Sequence, residues 1–194
     1  NGYESEGSVR LVGVQHHHAH IAGVLAEHGL NSKKAIGVAF DGTGYGSDGN
    51  LWGGEFLIAD LKDFYRFAHL EEAPLPGGEK AIREPWRIAL SYLHLCYGSA
   101  LFNLKIDFVK SLDEAKASIL IHMINSGFMS PKASGAGRVF DAVSALIGIR
   151  KEARYEGQAA IELEMTADKT ERKRYAFKIT KKSEGSWRPS MSPA

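Results

Sequence analysis

The sequence predicts an α/β protein that mixes parallel and hairpin strand pairing. Three observations carry this. Short β-branched or alternating apolar runs recur at residues 9–14, 33–40 and 51–61. A stretch at helical period, "QHHHAHIAGVLAEHGL", lies between the first two. A turn-dense stretch, "DGTGYGSDGN", joins the second to the third.

The elements follow in order. "VRLVGV" (9–14) reads as a buried strand, and the histidine-rich helix behind it stops at Gly29. "KKAIGVAF" (33–40) is a second strand, broken by the glycine loop. "LWGGEFLIADL" (51–61) is a third and "FYRFAHL" a fourth. From Glu71 the composition turns polar and rich in Pro and Gly, and Pro85 suits the first turn of a helix. Trp86, Ala89, Leu90, Leu93, Cys96 and Tyr97 then recur at helical spacing, which reads Cys96 as core. "SLDEAKASILIHMINSG" opens with Ser111 and Glu114 as a capping box and closes at Gly127. "GRVFDAVSALIGI" is a further helix with Val139, Val143, Leu146 and Ile147 on its apolar side and Asp141 on the polar side. "YEGQAAIELEMTA" is another helix, and "RYAFKIT" alternates as a half-exposed edge strand. "SEGSWRPSMSPA" carries no further element. The organisation is an α/β base over 1–70, a helical block over 71–168, and an edge strand with a tail over 169–194.

Composition sets limits. The 194 residues suffice for one domain with a real core. Lys and Arg total 24 against 23 Asp and Glu, net +1, too balanced to argue for a nucleic acid or a membrane surface. No apolar run approaches the ~20 residues that span a bilayer. One cysteine excludes an internal disulfide framework and suits the cytoplasm. Both ends read as cuts through a longer protein.

Four histidines fall within "HHHAH". On a helix, residues four apart lie about 40° apart around the axis and one turn apart along it. His16 and His20 therefore share a face and can chelate one ion. His17 aligns with Ile21 and Val24 on the apolar face, and His18 with Ala22 and Leu25. Gly23 leaves room beside the pair, and Glu27 is roughly 10 Å further along the axis. A two-His i,i+4 pair recurs in zinc sites for this reason, while a capped helix start with solvated histidines reads equally well. A purification tag does not fit a short, internal run.

Six glycines fall between Asp41 and Gly54. Their amides suit an anion, and Asp41 at a strand end suits a metal. A β-hairpin needing positive φ explains them as well. Neither a Walker A nor a GxGxxG pattern is present. "LPGGEKAIREPWR" gathers Lys80, Arg83, Glu84 and Arg87 behind Gly77 and Gly78, either an anion holder or a solvated helix start. "SGAGRVFDA" puts Gly137 and Arg138 at a helix N-terminus.

Taken in order, "VQHHHAHIA", "DGTGYGSDGNLWGGE", "HLEEAPLPGGEKAIREPWR", "SGAGRVFDAVSALIG" and "YEGQAA" resemble the HypF carbamoyltransferases of nickel-iron hydrogenase maturation. The resemblance covers residues 9–177 and points to the C-terminal, TsaD-like (Kae1-like) domain. It implies an actin/Hsp70/sugar-kinase-like (RNase H-like) sheet base with an inserted helical block, here an incomplete domain. It further implies transfer of a carbamoyl group from carbamoyl-adenylate, made from ATP in a YrdC-like domain, to the C-terminal cysteine of HypE. In the family an H-x-x-x-H pair and an aspartate bind a divalent ion, iron or zinc, matching His16, His20 and Asp41. Asp41, Arg83 and Arg138 are the candidate catalytic residues. Gly42, Gly44, Gly46, Gly53, Gly54, Gly77, Gly78 and Gly137 are the candidates to approach ATP or carbamoyl-adenylate. The family's C-terminal "NDGG"-type and "GGVFQN"-type blocks are absent, which implies that this chain alone does not turn over. A metal-dependent hydrolase and a non-catalytic nucleotide-binding module are the competing functions.

Overall fold

The structure is a computed structural model that describes residues 11–31, 33–181 and 187–190. A helix, α1 (His16–Glu27), packs on an antiparallel meander of β1 (Ala35–Tyr45), β2 (Leu51–Ala59) and β3 (Phe64–His69). Ile21 and Leu25 of α1 fill a cluster with Ala39, Trp52, Leu57 and Ala59 of the strands. Gly37 makes that contact possible, because a Cβ there would run into the Ile21 side chain.

The polar, Pro/Gly-rich stretch adds β4 (Ala73–Pro74), the short α2 (Glu79–Arg83) and α3 (Pro85–Tyr97), with Pro85 at the start of α3 as its ring geometry favours. A 3₁₀ turn, α4 (Asp107–Lys110), α5 (Glu114–Ser126), β5 (Lys132–Ala133), α6 (Ala136–Leu146) and α7 (Gln158–Met165) complete the helical part. β6 (Lys178–Lys181) and β7 (Trp187–Ser190) follow. A second apolar cluster sits among these helices around Ile88, Leu90, Leu101 and Leu120. The sheet runs β4-β5-β2-β3-β7-β6, with β1 also on β2; β5 joins β2 and β7 joins β3 in parallel. Among the described residues no helix is long and apolar enough to cross a membrane.

Several elements differ from the sequence reading. Of the strand expected over 9–14, Val9 and Arg10 lie outside the described residues, while Leu11, Val12 and Val14 are exposed and form no strand; β-branching favours a strand only where a neighbour supplies the ladder. The second strand does not stop at Phe40 but runs to Tyr45, so the glycine stretch is mostly hairpin arm around a tight turn. Asp113, not Ser111, caps α5: its carboxylate accepts from the Ala115 and Lys116 amides, whereas Ser111 Oγ donates back to Phe108. The tail is not featureless, since β7 pairs with β6 and β3. All of β6 is exposed rather than half-exposed. Cys96 is exposed and lines an apolar trough of about 1100 Å³.

α6 is turned about its axis relative to expectation. It buries Ala136, Arg138, Asp141, Ala142, Ser144 and Ala145, and leaves Val143 and Ile147 exposed. Small residues let α3 and α6 approach closely, and Asp141 on that face is balanced by Arg138 one turn earlier.

Candidate metal centre

Gln15 sets the start of α1. Its Oε1 accepts from the His18 amide at 2.8 Å, and its Nε2 donates to the Tyr45 carbonyl at 3.0 Å. The first turn of α1 is thereby tied to the far end of β1. Between Phe40 and Gly44 the β1–β2 register shifts, and Asp41 sits in that irregular stretch. Gly44 keeps the strand thin there: a Cβ would stand 2.7 Å from His16 Cδ2 and 2.8 Å from His17 Cε1.

The result is a convergence of three donors. His16 Nε2 lies 2.9 Å from Asp41 Oδ2 and 3.2 Å from His20 Nε2. The ligand atoms of His16, His20 and Asp41 all fall within 4.8 Å of one another. The cluster faces solvent, with the His16 and Asp41 side chains 46% and 35% exposed. Burial works against the Asp41 charge, but the hydrogen bonds from His16 and the Gly42 amide outweigh it and hold the carboxyl below the usual carboxylate range. Two imidazoles and an ionised carboxylate with an open side form a donor set suited to zinc or iron.

The other histidines have different positions. His18 Nε2 lies 2.8 Å from the Asp60 carbonyl. His17 is fully buried, and its burial pushes the imidazole below its ordinary value, with Glu55 opposing.

Behind Asp41, the start of α6 lies directly against β1. A Cβ on Gly135 would run into the Gly42 carbonyl, and one on Gly137 would stand 3.0 Å from Gly42 Cα. Arg138 is 4% exposed, and its Nη2 would stand 3.0 Å from a Cβ at Gly42. Its Nη1 is 3.1 Å from Asp141 Oδ2 but out of line, so among the described residues Arg138 Nε and Nη1 have no hydrogen-bond partner. Burial raises the Asp141 carboxyl against the pull of Arg138.

Of the candidate residues, the structure gathers His16, His20, Asp41, Gly42, Gly44, Gly53, Gly137 and Arg138 in one region. Arg83 is elsewhere, on α2 against α3, in a surface ion pair with Glu79 at 2.7 Å. Gly77 and Gly78 hold positive φ at the entry to α2. The expected cradle of free glycine amides is largely occupied from within. Gly42 donates to Asp41, Gly46 to Asn50, and Gly53 and Gly54 to Glu55.

Sequence reasoning passes over one supporting group. Glu55 is completely buried, held by Arg66 through Nε at 2.6 Å and Nη2 at 3.0 Å, and accepts from Ser134 Oγ at 2.5 Å. It joins the hairpin to the residue before Gly135. The strand parity it shares with Leu57 and Ala59 points it inward, which is the signal in the sequence.

Comparison with known proteins gives a consistent picture. Residues 37–193 match the family model described as carbamoyltransferase, Kae1-like domain, second subdomain. The chain is 44% identical over 164 residues to carbamoyltransferase HypF2 of Cupriavidus necator, spanning 84% of this chain and 20% of that protein. Carbamoyltransferase HypF of Synechocystis is 37% identical over 174 residues, 84% of this chain and 23% of that one. The crystal structure of full-length HypF in the phosphate- and nucleotide-bound form superposes with a TM-score of 0.83 at 44% identity, over 95% of this chain and 28% of that one. T. kodakarensis HypF superposes with a TM-score of 0.68 at 37% identity, over 80% of this chain and 22% of that one. The chain thus spans about a fifth to a quarter of these relatives' length.

Proposed function

Because this chain belongs to the HypF carbamoyltransferase family, we propose that it supplies the metal-holding part of a carbamoyl-transfer site. The reaction is transfer from carbamoyl-adenylate to the C-terminal cysteine of HypE, for cyanide-ligand synthesis in hydrogenase maturation. The observation that carries this reading is the convergence of His16, His20 and Asp41 within 4.8 Å on an exposed face. A divalent iron or zinc ion held by these three residues would act as a Lewis acid on a carbamoyl or phosphate oxygen.

The chain's own residues have separable parts in this. His16 and His20 present Nε2 atoms toward a common point, one helical turn apart. Asp41 offers Oδ2 to the same point while Gly42 fixes Oδ1 at 2.6 Å. The acceptor thiol belongs to the partner, so this chain needs no nucleophile of its own. Arg138, buried beneath Gly42, places a positive charge behind the cluster on the side of the strand where α6 begins.

The test has two parts. Elemental analysis after dialysis against Zn²⁺ or Fe²⁺ is expected to show about one equivalent in the wild type and none in His16→Ala/His20→Ala. Carbamoyl transfer from supplied carbamoyl-adenylate to HypE, measured in the full-length form, is expected to fall with the same pair. Metal content and transfer that are both unchanged in the variant would remove the assignment. Turnover without an acceptor thiol would indicate a hydrolase instead. Nucleotide binding indifferent to the histidines, with no transfer, would indicate a binding module.

A further inference from the structure

We propose that His17 is a positioning residue that holds Asp41 in its ligating orientation once an ion is bound. This rests on the reading of His16, His20 and Asp41 as ligands, and it assigns a role to the one imidazole in the cluster's vicinity that the reading leaves unused.

His17 is 0% exposed, and its tautomer follows from its neighbours. Gln15 Nε2 is a donor and lies 3.1 Å from His17 Nδ1, so Nδ1 accepts. The ring hydrogen is therefore on Nε2. Among the described residues that Nε2 has no hydrogen-bond partner, and it stands 3.9 Å from Asp41 Oδ2. A buried N–H without an acceptor is costly, and folded proteins rarely keep one without a reason.

The reason emerges when the ion is considered. Asp41 Oδ2 now takes its hydrogen bond from His16 Nε2, at 2.9 Å. His16 ligates a metal only through a bare Nε2 lone pair, so that bond is lost on loading. Movement of Oδ2 by about 1 Å brings it within hydrogen-bond reach of His17 Nε2–H. Gly42 holds the other oxygen throughout. The carboxylate is then gripped at one oxygen by an amide and at the other by an imidazole, with a lone pair left for the ion. Partners of this kind orient ligating carboxylates and tune metal affinity. The local packing suits the role: the His17 and His16 rings meet edge to face at 5.0 Å, and Trp52 stands 6.1 Å from His17 on the buried side.

The experiment compares Zn²⁺ dissociation constants of the 194-residue chain, its His17→Gln variant and its His17→Phe variant, by competition with a chromophoric chelator. Gln places a donor nitrogen near the position of His Nε2; Phe keeps a ring and has no donor. His17→Phe is expected to bind about 10–100-fold more weakly, and His17→Gln to stay within about threefold of wild type. His17→Phe binding as tightly as wild type overturns the proposal, as does equal weakening in both variants, which would assign the ring to packing alone. A wild-type chain that binds no Zn²⁺ overturns the ligand reading itself. Should His17→Phe fail to fold, nitrogen-15 NMR of the wild type decides: the His17 Nε2–H resonance is expected to move downfield on Zn²⁺ addition, and an unmoved resonance overturns the proposal.

Discussion

Replacing Arg66 with alanine tests the account of how the hairpin is held. Arg66 is the counter-charge of Glu55, which has no exposure, through two hydrogen bonds at 2.6 and 3.0 Å. It also bonds Asp48 at 3.0 Å and stacks 4.0 Å over the Trp52 ring. Removing it strands a buried carboxylate with only Ser134 and two long amide contacts from Gly53 and Gly54. Breaking one side of a buried pair costs about 3–5 kcal/mol, against a total stability of about 5–15 kcal/mol. Arg66→Ala is therefore expected to lower Tm by about 6–20 °C for a chain of this size, and to shift the urea midpoint at unchanged slope. The double variant Glu55→Gln/Arg66→Met leaves no buried charge at this position, and is expected to recover to within about 2 kcal/mol of wild type. A loss below about 1 kcal/mol in Arg66→Ala would refute the reasoning, because it would mean that water reaches Glu55 and the pair is a surface pair.

Further expectations concern other parts of the molecule. Gly44→Ala introduces a methyl 2.7 Å from His16 and 2.8 Å from His17; calorimetric titration is expected to show at least about tenfold weaker Zn²⁺ binding. Asp113→Ala is expected to cost about 1 kcal/mol in urea unfolding and Ser111→Ala only a few tenths, because Asp113 is the cap; the reverse order would restore the Ser111 capping box. Burial opposes the Asp48 charge, but the Asn50 amide, the Trp52 indole and Arg66 outweigh it and hold the carboxyl below its ordinary 3.8. A depressed folded value means that this stabilisation is present above the ordinary value and is lost as pH falls through the lowered one. Asp48→Asn is accordingly expected to flatten the loss of stability as pH falls below the ordinary carboxylate range, and an acid limb identical to wild type would contradict the assigned contacts.

Much of the scaffold is legible in the sequence, and its misreadings have identifiable physical causes. β2 is recognisable from the apolar run 51–59, and α3 and α5 from Pro85 and Gly127. β1 is harder to follow because two of its residues past Phe40, Gly42 and Gly44, are spent on contacts that only bare backbone allows; glycines placed for close approach look like a loop. α6 misleads because Val139, Val143 and Leu146 make the more apolar stripe, yet alanines and a neutralised ion pair give the closer packing against α3. At the site, helical spacing isolates His16 and His20 from their neighbours without outside help. Asp41 is placed beside them by the register shift in β1, which spacing alone does not disclose. The burial of His17 follows from its alignment with Ile21, but the hydrogen-bond partner it lacks is visible only in three dimensions.

The seam where Gly42 meets Gly135 and Gly137 has a mechanical consequence. Its tightest contacts are main chain on main chain, with the buried Arg138 side chain packed alongside, so those contacts have no rotamers to exchange. Side-chain repacking elsewhere in the helices has no lever at this contact with which to move Asp41. The cost of such stiffness falls on the unfolded chain, whose glycines surrender more freedom on folding than other residues. In return, the distance between β1 and α6 is fixed by the thickness of the polypeptide itself, a tolerance tighter than side-chain packing provides.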